Sequence, residues 1–261
     1  MKRSTPRHAR KPSARKRWTP WLGVVLCAVL TILLWPRTPL TAASPAEEAP
    51  PSQGGLAVIP QKEEEAPWEL RLVNRDHPLP QDFTVELTAV QDGQFDSRAA
   101  ESLDEMLEDM KAQGLSPLIC SSFRTWEEQE SLHQQGVDKY LDRGFSQEQA
   151  EEEASRWVVP AGQSEHQLGL AVDIVAQEFQ LLEEEQESTP EQQWLLSHCW
   201  EYGFVLRYPR DKEAETGVGY EPWHYRYVGK EAAQEITARR VCLEEYLQGL
   251  AQIRPVRIFC Q

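Results

Sequence analysis

Apolar residues recur at helical spacing over 97–113, where Leu103, Met106, Leu107 and Met110 form one stripe that ends at Gly114. Short, mostly apolar runs predict buried strands at 118–121 and 171–175, and 70–73 reads as a further short strand. Between that strand and the first helix, Asn74, Asp76, Pro78 and Pro80 supply turn chemistry. Thr125 can cap a helix running to about 143, and Ser146 another that ends near 156. Thr189-Pro190 places an N-cap before a first-turn proline, starting a helix that stops before Gly203. Residues 205–208 and 224–228 pair as strands, and 230–247 form a final helix. Strands and helices mix without a regular βαβ alternation, so the predicted class is α+β.

The most apolar stretch lies outside this pattern, near the N-terminus. Residues 21–35 carry no charge and one hydroxyl, Thr31. With Trp18 included, the stretch approaches the ~17–20 residues that cross a bilayer. Trp18, Trp21 and Trp35 sit at its ends, where indole rings favour the membrane interface. Residues 1–17 hold eight Lys or Arg and no acid, so they are expected to be a cytoplasmic head. Residues 18–35 are then a single-pass anchor with the rest of the chain outside. Thr41-Ala42-Ala43 resembles a cleavage site and keeps a removed signal sequence open as the alternative. Residues 36–66 contain six Pro, five Glu and few large apolar side chains, the composition of a disordered tether. Residues 67–261 remain, enough for one domain.

Charge narrows the partners. The chain has 42 Asp and Glu against 27 Lys and Arg, a net charge of −15. Beyond the basic head only 19 bases face all 42 acids, a balance that repels phosphate backbones and excludes nucleic acid as a partner. Five cysteines are too few for a disulfide scaffold. Cys27 falls in the apolar stretch, and Cys120, Cys199, Cys242 and Cys260 allow three pairings. Of these, Cys242–Cys260 would pin the C-terminal tail to the last helix.

Three segments carry candidate chemistry: Ser121-Ser-Phe-Arg124, Ser164-Glu-His-Gln-Leu-Gly-Leu-Ala-Val-Asp173 and Glu221-Pro-Trp-His224. His166 lies in a loop entering a strand, Asp173 within that strand, and His224 at the start of another. Two imidazoles and one carboxylate form a three-ligand set of the kind a catalytic zinc uses. Glu221, on the turn before His224, can act as a general base. Arg124 can stabilise an oxyanion or clamp a substrate carboxylate. Spacing alone leaves the structural reading open, since a lone His is more often filler than ligand. His8, His77, His133 and His198 are read as structural or solvated. Arg207 can hold a carboxylate or make an ordinary strand ion pair, and Trp223 and Tyr220 can pack or stack. A Cys–His hydrolase built on Cys120 or Cys199 is a poor third reading.

The literal strings add to this. Leu72-Val-Asn-Arg-Asp-His-Pro-Leu-Pro80, Ser121-Ser-Phe-Arg-Thr-Trp-Glu-Glu-Gln129, the segment 164–173, Tyr202-Gly-Phe-Val-Leu-Arg-Tyr-Pro209 and Glu221-Pro-Trp-His-Tyr-Arg-Tyr-Val-Gly229 follow one another in order. Over these about 160 residues the chain resembles the VanY-type D-alanyl-D-alanine carboxypeptidases, zinc peptidases of the Hedgehog/DD-peptidase fold. The resemblance implies a small, mostly antiparallel sheet flanked by helices, with His166, Asp173 and His224 as Zn2+ ligands. It implies Glu221 as catalytic base and Arg124 as the residue that steadies the transition state. Ser164 and Gln129 would lie near the substrate's terminal residue, with Arg207 as a further substrate-binding candidate. Two positions depart from the family pattern: Ser122 replaces the usual Gly and Phe123 the usual Tyr, which leaves fine specificity open. The implied activity is removal of the C-terminal D-alanine from peptidoglycan stem peptides. The alternatives are L,D cleavage of tetrapeptide stems and a non-catalytic wall-binding module. Glu221 speaks against the last, because a binder needs no base. The expected partners are the stem peptide and the membrane, and the protein is expected to be a monomer.

Overall fold

The computed structural model describes residues 67–253. The expectations for 1–17, 18–35 and 36–66 and the pairing of Cys242 with Cys260 fall outside the described residues. Among the described residues no helix is long and apolar enough to cross a membrane.

A 3₁₀ turn at Trp68–Leu70 opens the described chain, where a strand over 70–73 was expected. Arg226 explains the difference, because its guanidinium takes the carbonyls of Glu69 and Arg71 that a strand would have paired. A hairpin follows, β1 (Leu87–Val90) and β2 (Gly93–Asp96), which the sequence pattern missed; its strands are four residues each, and only Val90 and Phe95 of their apolar side chains reach the core. Then come α1 (Ala100–Ala112), β3 (Pro117–Ser121), α2 (Trp126–Leu141) and α3 (Gln147–Ser155). The short α4 (Glu165–Leu168) leads into β4 (Ala171–Ala176), and α5 (Pro190–His198) into β5 (Phe204–Leu206). After α6 (Glu213–Thr216) and β6 (His224–Tyr227), the chain ends in α7 (Lys230–Arg239) and α8 (Leu243–Ile253). The expected single last helix is broken at Arg240, which adopts a left-handed backbone and lets α8 fold back.

The caps form as the sequence indicates. Thr125 and Glu128, and likewise Ser146 and Gln149, form reciprocal capping boxes at the starts of α2 and α3. Thr189 caps α5, with Pro190 at its first position. The strands β3-β4-β6-β5 form one antiparallel sheet in that order. The fold is thus α+β, with small antiparallel sheets flanked by helices, as expected.

Alternation along the strands sorts the two faces of the four-stranded sheet. Val172, Ile174, Phe204 and Tyr225 pack with the α1 stripe Leu103, Met106, Leu107 and Met110 in a fully buried core. The opposite face carries Asp173, Val205, His224 and Arg226. Val205 joins Ile236, Leu243 and Tyr246 of α7 and α8 in a smaller apolar cluster there. Asp173, His224 and Arg226 are the polar part of this second face, and they build the site.

Candidate active site

Register brings the site together. Asp173 lies opposite His224 across β4 and β6, and opposite Ser121 across β3 and β4. His166 arrives on α4 rather than in an open loop, because Ser164 caps the helix by accepting from the His166 N–H at 3.3 Å. The helix lasts four residues. Gly169 ends it with φ +78°, a left-handed turn that sends the chain straight into β4. Asp173 is therefore aimed at His166 across a tight connection, with ligand atoms of His166, Asp173 and His224 all within 4.8 Å of one another.

The hydrogen bonds fix which ring nitrogens are free. His166 Nδ1 lies 2.7 Å from the Ser122 carbonyl, which can only accept, so Nδ1 carries the proton and Nε2 keeps its lone pair. That Nε2 lies 3.3 Å from Asp173 Oδ2. On the other side, His224 Nδ1 approaches Asp173 Oδ1 to 3.0 Å and Glu221 Oε2 to 3.6 Å. Asp173 Oδ1 is nevertheless a buried oxygen with no hydrogen-bond partner among the described residues. Two imidazole nitrogens and a buried carboxylate that converge on one point suit a cation, and this ligand set suits zinc in particular. The residues present fit that ion.

In the metal-free protein the same groups perturb one another. Burial would raise Asp173, but the two imidazoles hold its carboxyl well below the usual range. Burial, helped by the Arg124 guanidinium, pushes His166 down to about 4. Burial acts the same way on His224, yet the facing carboxylates of Asp173 and Glu165 outweigh it and carry that ring up to about 9. Glu221 rises to about 8, chiefly through burial; His224 opposes the rise and Asp173 reinforces it.

Arg124 donates from Nε to Ser121 Oγ at 2.9 Å, from Nη1 to Gln129 Oε1 at 3.0 Å, and from Nη2 to Asp173 Oδ2 at 3.1 Å. Three of its five N–H groups are used and two remain for a ligand. Gln129 is fully buried and also donates to the Val159 carbonyl at 2.6 Å, so it braces Arg124 as well as lining the cleft. The cleft measures about 380 Å³ and is lined by Arg124, Gln129, Ser164, Glu221 and the three candidate ligands. Exposed Trp157 and Leu182 stand on its rim.

One expected residue is not there. Arg207 is fully buried and outside the cleft lining, with Nε on Glu165 at 2.8 Å and both terminal nitrogens on Glu244 at 2.9 and 2.6 Å. Its place among the substrate-binding residues is corrected to the ion-pair alternative, since its guanidinium nitrogens are committed to carboxylates behind the site. Trp223 is buried and lines the cleft. Tyr220 instead donates to Glu187 at 2.9 Å under the Arg210 guanidinium. His77, His133 and His198 bind local oxygens outside the site, as expected. Burial pushes the Cys199 thiol up to about 12, leaving it inert.

Two residues were missed. Tyr208 packs its ring 4.7 Å from that of His224 and lines the cleft. Glu165 is fully buried behind His224. Both lie inside the motif strings, but neither residue type announces its role there.

The family described as VanY: D-alanyl-D-alanine carboxypeptidase matches residues 92–230. The chain belongs to this family. It is 37% identical to a D-alanyl-D-alanine carboxypeptidase of Enterococcus faecalis over 254 residues, 91% of this chain and 92% of that protein. Among solved structures, VanYB in complex with D-alanine-D-alanine is 42% identical with a TM-score of 0.64, covering 70% of this chain and 98% of that one. A zinc complex of the vancomycin resistance D,D-pentapeptidase VanY from a VanB-type cassette is 41% identical with a TM-score of 0.63, covering 69% and 99%.

Proposed function

We propose that this VanY-family protein is a zinc-dependent D-alanyl-D-alanine carboxypeptidase that removes the terminal D-alanine from peptidoglycan stem peptides. The observation that carries the reading is the buried convergence of His166, Asp173 and His224 within 4.8 Å, with Glu221 beside them in the cleft. The zinc and D-alanine-D-alanine complexes of its relatives support the same metal and substrate class.

His166 Nε2, an Asp173 oxygen and His224 Nδ1 would hold the ion. Zinc in such a site supplies Lewis-acid activation of water at neutral pH. Glu221 takes the proton of the attacking water on its carboxylate. It then returns that proton to the amide nitrogen of the departing D-alanine, so the base becomes the acid within one turnover. Positive charge at the ligand cluster favours its carboxylate form and draws its value of about 8 towards neutrality. Arg124, held in place by Ser121 and Gln129, turns its remaining N–H groups to the developing oxyanion or to the substrate's terminal carboxylate. Ser164 stands beside His166 where the terminal residue would lie.

The N-terminal region supports a location. Residues 1–17 are a cytoplasmic head, 18–35 a membrane anchor or signal sequence, and 36–66 a tether that lets the domain from 67 onward, a monomer, reach the wall outside the membrane. The test is mass spectrometry on a stem pentapeptide ending in D-Ala-D-Ala, its C-terminally amidated form, and the tetrapeptide. Loss of one alanine from the pentapeptide and a much slower reaction of the amide are expected. Cleavage of the tetrapeptide alone would overturn the D,D assignment, and equal cleavage of the amide would overturn the exopeptidase one.

A further inference from the structure

Behind the site, on the same face of the sheet, Glu165, Arg207, Arg226 and Glu244 form a buried cluster of two anions and two cations. Glu244 uses both of its oxygens, each receiving one terminal nitrogen of Arg207. Glu165 behaves differently. Its Oε1 alone receives both Arg207 Nε at 2.8 Å and Arg226 Nη1 at 2.6 Å. Its Oε2 has no hydrogen-bond partner among the described residues and lies 3.7 Å from His224 Nε2, which has none either. A carboxylate serving only to neutralise two arginines has no reason to crowd both onto one oxygen and leave the other bare in a dry interior. An orphan acceptor and an orphan donor that face each other resolve through one N–H···O contact.

From this geometry, and resting on the zinc reading above, we infer that Glu165 is a positioning residue for His224. Its free Oε2 receives the Nε2–H of His224 and so holds the ring in the tautomer whose Nδ1 lone pair points at the ligand cluster. The two arginines clamp the other oxygen and stop the carboxylate from rotating away. The two imidazoles are thus oriented from behind by different groups, His166 by the Ser122 carbonyl and His224 by a carboxylate. Because Glu165 and His166 are consecutive residues of α4, one four-residue helix delivers one ligand and the partner that aims the other. Glu244 stabilises the same arginine and does not touch His224, which makes it the control for burial and charge.

The test uses the full-length chain and reads zinc affinity by competition with a chromophoric chelator, beside urea unfolding of the metal-free protein. In Glu165→Gln the amide oxygen faces the arginines and the amide NH2 faces Nε2, two donors opposed, so the ring proton is driven onto Nδ1, the ligand atom. Zinc affinity should fall about 10–100-fold, the scale for such outer partners. Glu244→Gln should lose metal-free stability yet keep zinc affinity within about threefold. If Glu165→Gln does not fold, nitrogen-15 NMR of wild-type histidine rings decides the matter. A slowly exchanging His224 Nε2–H is expected in both metal-free and zinc-loaded protein, and an unprotonated or freely exchanging Nε2 in the metal-free protein would overturn the proposal. Unchanged zinc affinity in Glu165→Gln, or an equal loss in Glu244→Gln, would overturn it as well while leaving the zinc reading intact. A wild-type chain that binds no zinc would instead bring down the zinc reading and this inference with it.

Discussion

Two charged clusters lie back to back on one face of the sheet, equally buried and differently completed. In the rear cluster the arginine nitrogens all have acceptors: Arg207 on Glu165 and Glu244, Arg226 on Glu165 and three backbone carbonyls. Among the described residues, Asp173 Oδ1 in the front cluster lacks a partner, His224 Nε2 and Glu165 Oε2 lack one where the two clusters meet, and Glu221 makes no close hydrogen bond, only a 3.6 Å approach to His224. Burial costs both clusters alike, so the difference lies in what each is left wanting. A cluster whose cations are all paired holds a fold. One whose ligand atoms converge without full partners is arranged to receive something.

The largest effect that would break this contrast comes from the front cluster. His224→Ala should lose zinc and peptide turnover together, while Glu221→Gln should keep its zinc and lose ~10²–10⁴-fold in kcat. Metal analysis and steady-state kinetics on the two variants separate ligand from base. A Glu221→Gln enzyme near the wild-type rate would remove Glu221 from the mechanism.

Arg207→Met probes the rear cluster. It leaves Glu165 and Glu244 buried with fewer partners, a change that costs about 3–5 kcal/mol. Urea unfolding should show that loss, while KM of the folded, zinc-loaded variant for the pentapeptide stays close to wild type. A tenfold rise in KM at unchanged stability would return Arg207 to the substrate site.

The smallest effect sharpens the contrast through pH. In the metal-free protein His224 titrates near 9 and Glu221 near 8, both above their unfolded values. Groups raised in this way hold more protons folded than unfolded, so their stabilising contribution is lost as pH rises. His166, held at about 4, no longer titrates above 6.5 and does not counter them there. Between pH 6.5 and 9 the metal-free Tm should therefore fall, on the order of 5 °C. Zinc must displace the His224 proton, so the Tm gain from added zinc should grow over the same range. Differential scanning calorimetry with and without a chelator reads both slopes, and a metal-free Tm that climbs with pH would contradict the His224 and Glu221 assignments.

Much of the domain was legible because it follows from local rules. Helix α1 comes from a 3.6-residue stripe, α2 and α3 from their N-caps Thr125 and Ser146, and β4 from a short run that is apolar but for Asp173. The motif strings likewise marked His166, Asp173, His224, Glu221 and Arg124 as one constellation. Hairpin β1–β2 escaped notice because its strands are only four residues long and send just Val90 and Phe95 into the core, too few positions to set a period, while cross-strand pairing aligns the rest. The split between α7 and α8 escaped because no glycine or proline announces it, only Arg240 in a left-handed turn.

By itself, then, the sequence determined which residue types could do the chemistry and on which elements they sit, since spacing, caps and charge are properties of neighbours along the chain. Only the tertiary structure decided which arginine serves the cleft. Arg124 and Arg207 read alike as cations near motif residues, yet one lines the cleft and the other is locked behind it between Glu165 and Glu244. The same holds for Glu165, whose role depends on facing His224, 59 positions away along the chain. Orientation and desolvation are set by groups that meet across strands, and no reading of neighbours in sequence contains them.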